Sequence, residues 1–356
     1  MKNKVCLFFN REYVDAHYCF RELAVQFAER GFEVDLFMDW QETHPVPYFE
    51  SDRVRIYLMQ HSLKDVFKFF VKAVLQKKYD VIVATPQWAL YWAVLIGRMA
   101  GTPVVCLSDE VAPNDGSKWK RREAWAHRQC LMTIALGEER HRLAIERHEL
   151  PKGHPYAIIP NAPAGRAQRL KSHFYRDMLG IPDYETLLLH SGGLGWTLLP
   201  PLIESAKSWP KEFTLLVQNR LQNKDKASSD RVRYSIRVLP SQLMPHATSS
   251  ADIGLMLYNQ QHAGEAQNGN TAGKLGLYLS CGLPLICCNL EILKWVEKEG
   301  CGIWVSDVSQ VLDAARRIMS NYDAYSRASM RVFNERYEYS KNFKVFFEQL
   351  QKLISR

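Results

Sequence analysis

The sequence predicts an α/β protein that consists of two Rossmann-like doubly wound domains facing each other across a cleft. Short apolar segments of strand length alternate with amphipathic segments of helical length along the 356 residues. Most of the strand segments are continuous hydrophobic runs, which is typical of parallel strands that helices cover on both faces. A polar, basic stretch at residues 164–185 separates two series of these segments, so two parallel sheets are expected in tandem.

The first series forms a predicted N-terminal domain over residues 1–165. Its first helix is predicted over residues 15–31, with Gly31 at its end, and two further helices are predicted over residues 63–78 and 86–100. The predicted strands are KVCLFFN (4–10), FEVDLFM (32–38), VRIYLM (54–59), YDVIVAT (79–85), TPVVCLS (102–108), CLMTIAL (130–136) and YAIIPNAP (156–163).

The second series forms a predicted C-terminal domain over residues 166–335. Its predicted strands are TLLLHSGG (186–193), FTLLVQN (213–219), YSIRVLP (234–240), DIGLMLY (252–258), LPLICC (283–288) and CGIWVS (301–306). Helices are predicted between them over residues 197–208, 241–248, 271–281, 290–299 and 307–321. The last segment, residues 336–356, is predicted to form a helix that can pack back on the first domain.

Composition and charge restrict the class of protein. The eight cysteines lie mostly inside apolar runs without a CxxC pair, which favours reduced thiols and a cytoplasmic protein over a zinc site or a disulfide framework. The N-terminal apolar run is too short for a signal peptide, and no run of about 18 apolar residues predicts a membrane span. The net charge of +8 indicates an anionic partner, which can be a membrane, a nucleic acid or a phosphorylated substrate.

Five segments along nearly the whole chain carry a family resemblance. They are ELAVQFAERGFEVDLF (22–37), IIPNAP (158–163), LLLHSGGLGW (187–196), SSADIGLMLY (249–258) and GKLGLYLSCGLPLIC (273–287). In this order they resemble the landmarks of the GT-B glycosyltransferases, and in particular the retaining family-four bacterial enzymes (glycosyl transferases group 1). The resemblance implies transfer of a sugar from a nucleotide-sugar donor, held by the second domain, to a glycan or lipid-linked acceptor, held by the first. It implies a role in polysaccharide or glycolipid biosynthesis, with the nucleotide sugar as substrate and no separate cofactor.

Two stretches of the second domain are candidate phosphate sites. The loop SGGLGWT follows a strand and opens a helix, so Gly192 and Gly193 let backbone N–H groups approach a diphosphate. Asn270 and Thr271 lie at the start of a later helix, with Thr271 as its predicted N-cap and the Lys274 ammonium in its first turn. The resemblance implies donor phosphate at this helix. The alternatives are an ordinary strand-to-helix turn and a capped surface helix with a solvated lysine.

The chain departs from the family pattern at its paired glutamates. The position of the glutamate that commonly holds the donor ribose aligns with Leu277, and the earlier glutamate falls near Gly269. Leucine cannot accept hydrogen bonds from ribose hydroxyls, so a nucleotide must be held by other groups or be held weakly. Gln218 and Asn219, at the end of a predicted strand, are the candidates for ribose and base contacts.

Three residues of the first domain are candidates for catalysis. Asp109 and Glu110 follow a predicted strand, and either carboxylate would be able to orient or deprotonate an acceptor hydroxyl. His17 begins the first helix on the same predicted side. The alternative for each is an ordinary helix cap or surface charge. The chain contains no Asp-x-Asp, which favours a metal-independent mechanism with no metal ligands.

Two basic, aromatic segments of the first domain indicate contact with an anionic membrane surface. Residues 64–78 and 117–128 both combine lysines and arginines with large aromatic residues. On a helix, Lys64, Lys68 and Lys72 would fall along one side, four residues apart. The interpretation places the protein at the inner face of the membrane; the alternative is a helix packed on the sheet with a solvated lysine edge.

Other functions remain open at the level of sequence. Within enzymes, a GT-B sugar-nucleotide epimerase keeps the fold without an acceptor. A catalytically silent GT-B subunit that supports an active partner is a candidate of another class, and the missing glutamates favour it. Nucleic-acid binding depends on charge alone and is not expected.

Overall fold

The computed structural model describes residues 3–11, 14, 17–40, 46–60, 62–76, 78–109, 111, 116–192, 197–218, 229–235, 239–259 and 269–355. These residues form two parallel sheets with helices around them, so the predicted α/β class with two Rossmann-like doubly wound sheets is confirmed. The chain divides into two compact units. The N-terminal unit is Met1–Asn161 with Tyr339–Arg356, and the C-terminal unit is Ala162–Glu338.

The N-terminal unit contains a parallel sheet in the order β3-β2-β1-β4-β5-β6-β7. Its strands are β1 (Lys4–Phe9), β2 (Glu33–Asp39), β3 (Val54–Met59), β4 (Val81–Ala84), β5 (Val104–Ser108), β6 (Met132–Ala135) and β7 (Tyr156–Ile158). The chain moves outward in one direction from β1 to β3 and in the other from β4 to β7. The reversal therefore lies between β1 and β4, the position where sheets of this type bind ligands at their carboxyl ends.

Among the described residues of this unit, five α-helices lie between the strands. They are α1 (Tyr18–Glu29), α2 (Leu63–Phe70), α3 (Trp88–Ala100), α4 (Lys118–Arg128) and α5 (Glu138–His148). Alternate residues of β1, Cys6 and Phe8, lie in one core cluster with apolar residues of α2, α3 and α4. These three helices therefore cover one face of the sheet. Gly97 shows how closely α3 lies on β5, because a methyl group at Gly97 would stand 2.6 Å from the Val104 side chain.

The C-terminal unit contains a second parallel sheet in the order β10-β9-β8-β11-β12-β13, with its reversal between β8 and β11. Its strands are β8 (Thr186–Ser191), β9 (Phe213–Gln218), β10 (Val232–Ser235), β11 (Ile253–Leu257), β12 (Leu285–Cys288) and β13 (Gly302–Val305). Its helices are α6 (Phe174–Leu179), α7 (Leu199–Ala206), α8 (Met244–Ser249), α9 (Gly273–Ser280), α10 (Trp295–Lys298), α11 (Val311–Met319) and α12 (Tyr322–Val332).

The last helix, α13 (Tyr339–Ile354), belongs to the N-terminal unit. Its apolar side packs on α1, where the Phe27 and Phe343 rings meet edge to face at 5.1 Å. The buried Tyr339 hydroxyl donates a hydrogen bond to the Cys19 carbonyl, 3.1 Å away. Among the described helices, none is both long and apolar enough to span a bilayer.

The predicted helix over residues 63–78 is interrupted in the structure. After α2, residues Val71–Leu75 form a π-helical turn, which breaks the regular four-residue spacing. The Lys72 ammonium turns inward, 2.8 Å from the Tyr57 hydroxyl and 3.9 Å from an Asp35 oxygen. The prediction that Lys72 falls along one side of a helix with Lys64 and Lys68 is therefore wrong, because the π-helical turn redirects Lys72 to an internal carboxylate and a tyrosine.

A buried polar cluster lies between α4, α5 and β6. His127 Nδ1 is 2.8 Å from His148 Nδ1, and His127 Nε2 is 2.7 Å from Thr133 Oγ1. His154 Nε2 lies 3.0 Å from the same hydroxyl. Burial lowers the pKa of all three histidines, that of His148 to about 4. Burial also raises the pKa of Glu123, which lies 3.6 Å from His148.

This cluster predicts a loss of stability in mild acid. The unfolded histidine takes up its proton near pH 6.5, whereas folded His148 does so at about 4, so protonation of this one group lowers the unfolding free energy by about 3 kcal/mol across that interval. Above pH 6.5 this group does not lower the unfolding free energy, because it is neutral in both states. The unfolding free energy then falls as the pH falls from 6.5 to about 4. Glu123 acts in the opposite direction, so the effect is measured by comparing variants.

The comparison uses urea unfolding of wild type, His148→Gln and His173→Gln at pH 7.5 and pH 4.5. His173 is an exposed histidine in the C-terminal unit and serves as the control. We expect the loss of stability on acidification to be smaller in His148→Gln than in wild type and unchanged in His173→Gln. An equal loss in all three proteins would contradict this role for His148.

Candidate functional site

The candidate site of the C-terminal unit lies where the order of its sheet reverses. β8 pairs with β9 on one side and with β11 on the other, so the chain leaves the carboxyl end of β8 into an opening between diverging connections. Gly192 follows β8 directly, and its φ of +124° is in the region that favours glycine. Its N–H donates to the Gln218 carbonyl at 3.0 Å. Gly193 lies outside the described residues.

Lys274 brings a positive charge to this opening. It lies in the first turn of α9, and its Nζ stands 4.7 Å from the centre of the Tyr258 ring, just beyond β11. A methyl group in place of the Gly192 hydrogen would lie 4.0 Å from Lys274 Nζ. The structure therefore brings together two residues that the sequence predicted as phosphate contacts, one from each side of the reversal.

Tyr278 determines where α9 lies relative to β8. Its fully buried hydroxyl accepts the Ser191 N–H at 2.8 Å and donates to the Leu189 carbonyl at 3.2 Å. The ring occupies the space over Gly254 in β11, which any side chain at that position would fill. Tyr278 and Lys274 are four residues apart and so lie on the same side of α9. The hydroxyl therefore positions the Lys274 ammonium beside the end of β8.

Sequence reasoning did not identify Tyr278. The available signal was Gly254, because a glycine inside a buried strand often marks a close approach by another group. Burial raises the pKa of Tyr278 well above its ordinary value, so the hydroxyl stays protonated and acts as both donor and acceptor.

Gln218, the last residue of β9, is held by a second tyrosine that the sequence did not indicate. The Tyr175 hydroxyl, on α6, donates to Gln218 Oε1 at 2.8 Å, and both side chains are buried. This bond fixes the orientation of the amide, with its oxygen toward Tyr175. Asn219, the other predicted ribose contact, lies outside the described residues.

The start of α9 differs from the prediction. Residues Gly269–Thr271 form a 3-10 turn, and the N-cap of α9 is Ala272, which provides no side-chain cap. The prediction of Thr271 as the N-cap is therefore wrong, because the short turn ends on the threonine and buries it. Asn270 Oδ1 accepts a hydrogen bond from Trp295 Nε1 at 2.8 Å, so this side chain holds α10 against the turn.

The two positions that align with the missing glutamates are buried. Leu277 is only 2% exposed and lies among the apolar residues of α9. Gly269 is buried, and a methyl group there would stand 2.9 Å from the Leu290 side chain. A glutamate at either position would have to displace core atoms or lose its hydration, at a cost of several kcal/mol for a buried charge. The two residues that replace the expected glutamates are therefore both part of the buried packing of this unit.

In the N-terminal unit, Asp109 follows β5 and is held by two arginines. Arg11 Nε donates to Asp109 Oδ2 at 2.7 Å, and Arg140 donates to the Asp109 carbonyl. Asp109 is buried, and its Oδ1 has no hydrogen-bond partner among the described residues. One carboxylate oxygen is therefore fixed by a cation, while the other is buried without a hydrogen-bond donor among the described residues. Glu110 lies outside the described residues.

Two polar residues lie at the carboxyl ends of β1 and β4. Asn10, after β1, and Thr85, after β4, are joined by a 2.6 Å bond from the Thr85 hydroxyl to Asn10 Oδ1. This pair occupies the reversal of the first sheet. His17 directly precedes α1 without a side-chain cap bond, and its ring lies 5.4 Å from Phe20. Across the described parts of the chain, no three His, Cys, Asp or Glu side chains converge in a way that would hold a metal ion.

Two family models match the chain. Residues 16–136 match the glycosyl transferase 4-like domain, and residues 203–341 match the C-terminal domain of the glucosyltransferase 3-like proteins. A comparison with curated protein sequences finds no match. The first matched segment lies in the N-terminal unit, and the second lies in the C-terminal unit except for residues 339–341. Together they contain most of the site residues described above.

Solved structures are similar to this chain over nearly its full length. HepE of Anabaena, solved with UDP-glucose, has a TM-score of 0.71 at 14% identity, with 98% of this chain and 99% of that chain covered. Sucrose-phosphate synthase of Thermosynechococcus elongatus has a TM-score of 0.67 at 14% identity, with 99% of both chains covered. The UDP-forming α,α-trehalose-phosphate synthase of Burkholderia vietnamiensis has a TM-score of 0.62 at 13% identity, with 99% and 100% covered. At these identities the likeness establishes the fold, which is GT-B.

The hydrogen bonds of the Tyr278 hydroxyl can be tested by substitution. Tyr278→Phe leaves the partly buried Ser191 N–H without its acceptor, which is expected to lower the unfolding free energy by about 1–3 kcal/mol. It also loosens α9 on β8, so binding of inorganic pyrophosphate should weaken. Tyr339→Phe removes another buried tyrosine hydroxyl, from the N-terminal unit, and serves as the control. Urea unfolding and calorimetric titration measure the two effects; pyrophosphate binding equal to that of wild type would contradict the positioning role.

Proposed function

We propose that this chain, a glycosyltransferase of the GT-B type, moves a hexosyl group from a nucleoside diphosphate sugar to a hydroxyl of a glycan or lipid-linked acceptor. The observation that carries the proposal is the meeting of Gly192 and Lys274 at the reversal of the second sheet. Both family matches describe glycosyltransferase domains, and HepE was solved with UDP-glucose, which makes a uridine nucleotide the first donor to test. The proposed setting is bacterial-type polysaccharide or glycolipid synthesis.

The donor diphosphate is proposed to lie between the Gly192 backbone and the Lys274 ammonium. When the sugar leaves, the bond between its anomeric carbon and the phosphate oxygen breaks, and the electron pair stays with the diphosphate. A preorganised ammonium stabilises that charge more in the transition state than in the ground state. The proposed mechanism is therefore metal-independent and uses no cofactor besides the donor substrate.

The nucleoside part is proposed to contact Gln218 and Asn219. Since Gln218 Oε1 accepts a hydrogen bond from Tyr175, its amide nitrogen is the group directed to other partners. A donor of this kind suits a ribose oxygen or a base carbonyl. This contact would replace the carboxylate that is absent at the buried positions Leu277 and Gly269.

The acceptor hydroxyl is proposed to be oriented by Asp109, with Glu110 and His17 as further candidates in the same unit. Arg11 holds Oδ2, so Oδ1 can accept the hydroxyl proton as the new bond to the anomeric carbon forms. The proton thus moves to the carboxylate, and the sugar moves to the acceptor oxygen.

A catalytically silent subunit is the second candidate function. The closed positions at Leu277 and Gly269 favour it, because a chain without catalytic duty does not need a carboxylate there. Hydrolysis of UDP-glucose by the purified protein separates the two functions, since a silent subunit releases no UDP. An epimerase is distinguished by turnover that does not depend on an acceptor.

Lys274→Ala is expected to weaken UDP binding by about 1–3 kcal/mol, the scale of a charge-assisted hydrogen bond. Lys294→Ala is the matched control, because Lys294 also lies over an aromatic ring of this unit, 4.3 Å from the centre of Trp304. Calorimetric titration with UDP and with uridine measures both variants. Uridine affinity should be unchanged in each. Equal UDP affinity in Lys274→Ala and wild type would refute the phosphate contact.

Asp109→Asn is expected to lower kcat by about 10²–10⁴-fold, the range for removal of a general base. The substitution keeps the size of the side chain and leaves the donor site in the other unit untouched. UDP affinity should therefore equal that of wild type. Initial rates with UDP-glucose and a glycan acceptor measure the effect, and an unchanged kcat would assign the base to another residue.

A further inference from the structure

The helical layer over one face of the first sheet has an unusual outer surface. α2, α3 and α4 pack side by side, with Phe69, Ala93 and Ala126 turned to the sheet in one core cluster. The outer surface of this layer is here named the basic helical face. It comprises the exposed residues Leu63, Lys64, Phe67, Lys68, Arg98, Met99, Lys118, Trp119, Arg121 and Arg122.

Every exposed charge on these three helices is positive. The helices contain two acidic residues, Asp65 and Glu123, and both are buried. Asp65 completes a capping box with Ser62 at the start of α2, and Glu123 pairs with Lys120 at 2.9 Å. Both acidic side chains are therefore buried and paired, and no exposed carboxylate of α2, α3 or α4 offsets the cations of the basic helical face.

Large apolar side chains stand among these cations. Leu63, Phe67 and Met99 are 77%, 64% and 66% exposed, and they border an open groove lined by further apolar residues of α2 and α3. Arg122 lies over the Tyr91 and Trp119 rings, 5.4 and 4.9 Å from their centres. A contiguous apolar patch with a basic border is costly to leave in water and marks an interaction surface.

We infer that the basic helical face docks on an anionic lipid surface. The three exposed apolar side chains would enter the boundary between headgroups and acyl chains, and the surrounding lysines and arginines would contact lipid phosphates. A nucleic acid would satisfy the cations without covering the apolar groove. A second copy of this chain would bring the same positive face against itself, which is repulsive. The inference rests on the N-terminal unit alone and does not depend on the proposed function.

Vesicle sedimentation without donor or acceptor tests this inference. Vesicles of phosphatidylcholine and vesicles that also contain phosphatidylglycerol are compared in 50 mM and 500 mM salt. We expect the protein to sediment with the anionic vesicles at low salt and to be released at high salt, because exposed charges are screened. Binding to phosphatidylcholine alone should be much weaker.

Two variants divide the electrostatic from the apolar contribution. Lys68→Glu with Arg98→Glu should weaken partitioning by more than about 25-fold, since each cation near an anionic surface contributes about fivefold. Phe67→Ser with Met99→Ser should weaken binding at both salt concentrations. The control is Lys344→Glu with Val345→Ser, a pair of exposed residues on α13, which should bind as wild type.

Three results would overturn the inference. They are equal recovery with neutral and anionic vesicles, full binding by Lys68→Glu with Arg98→Glu, and no binding to either vesicle. A dimer detected by analytical ultracentrifugation and lost in Phe67→Ser with Met99→Ser would assign the face to contact between copies instead.

Discussion

The candidate donor site depends on one hydroxyl group. Tyr278 Oη accepts a backbone N–H from Ser191 and donates to the Leu189 carbonyl, so it joins α9 to the end of β8. Gly254 leaves the space for its ring. Because α9 is held in this way, the Lys274 ammonium one turn earlier reaches the residue that follows β8. A buried hydroxyl that both donates and accepts a hydrogen bond holds its helix firmly, because breaking either bond leaves a polar group unpaired.

The same packing explains how the chain departs from the family it resembles. A leucine in the core of α9 and a glycine pressed against Leu290 occupy the positions of the two expected glutamates. A glutamate in place of Leu277 would bury a charge in the helix that carries Lys274. Beside the end of β8, Tyr175 holds the Gln218 amide in one orientation. A positive charge at Lys274 and an oriented amide at Gln218 suit a diphosphate better than a neutral sugar.

Much of the fold could be predicted from the sequence, because parallel strands buried on both faces must be apolar and the helices between them must be amphipathic. The pairing of Gly192 with Lys274 followed from the same reasoning, since strand ends and helix starts meet at one edge of such a sheet. Features set by tertiary contacts were not predicted. The π-helical turn redirects Lys72 to Asp35, the 3-10 turn displaces Thr271 from the N-cap, and two tyrosines bond partners distant in sequence. Of these features only the position of Tyr278 has a signal in the sequence, which is Gly254.

The central claim is that a nucleoside diphosphate binds where the second sheet reverses. A crystal structure of the chain with UDP tests it directly. The bound diphosphate is expected to place a phosphate oxygen within hydrogen-bond distance of the Lys274 ammonium and beside Gly192, whose N–H stays bonded to the Gln218 carbonyl, with Tyr278 still bonded to Ser191. A diphosphate bound elsewhere on the chain, with Lys274 still over Tyr258 and away from any phosphate, would contradict it.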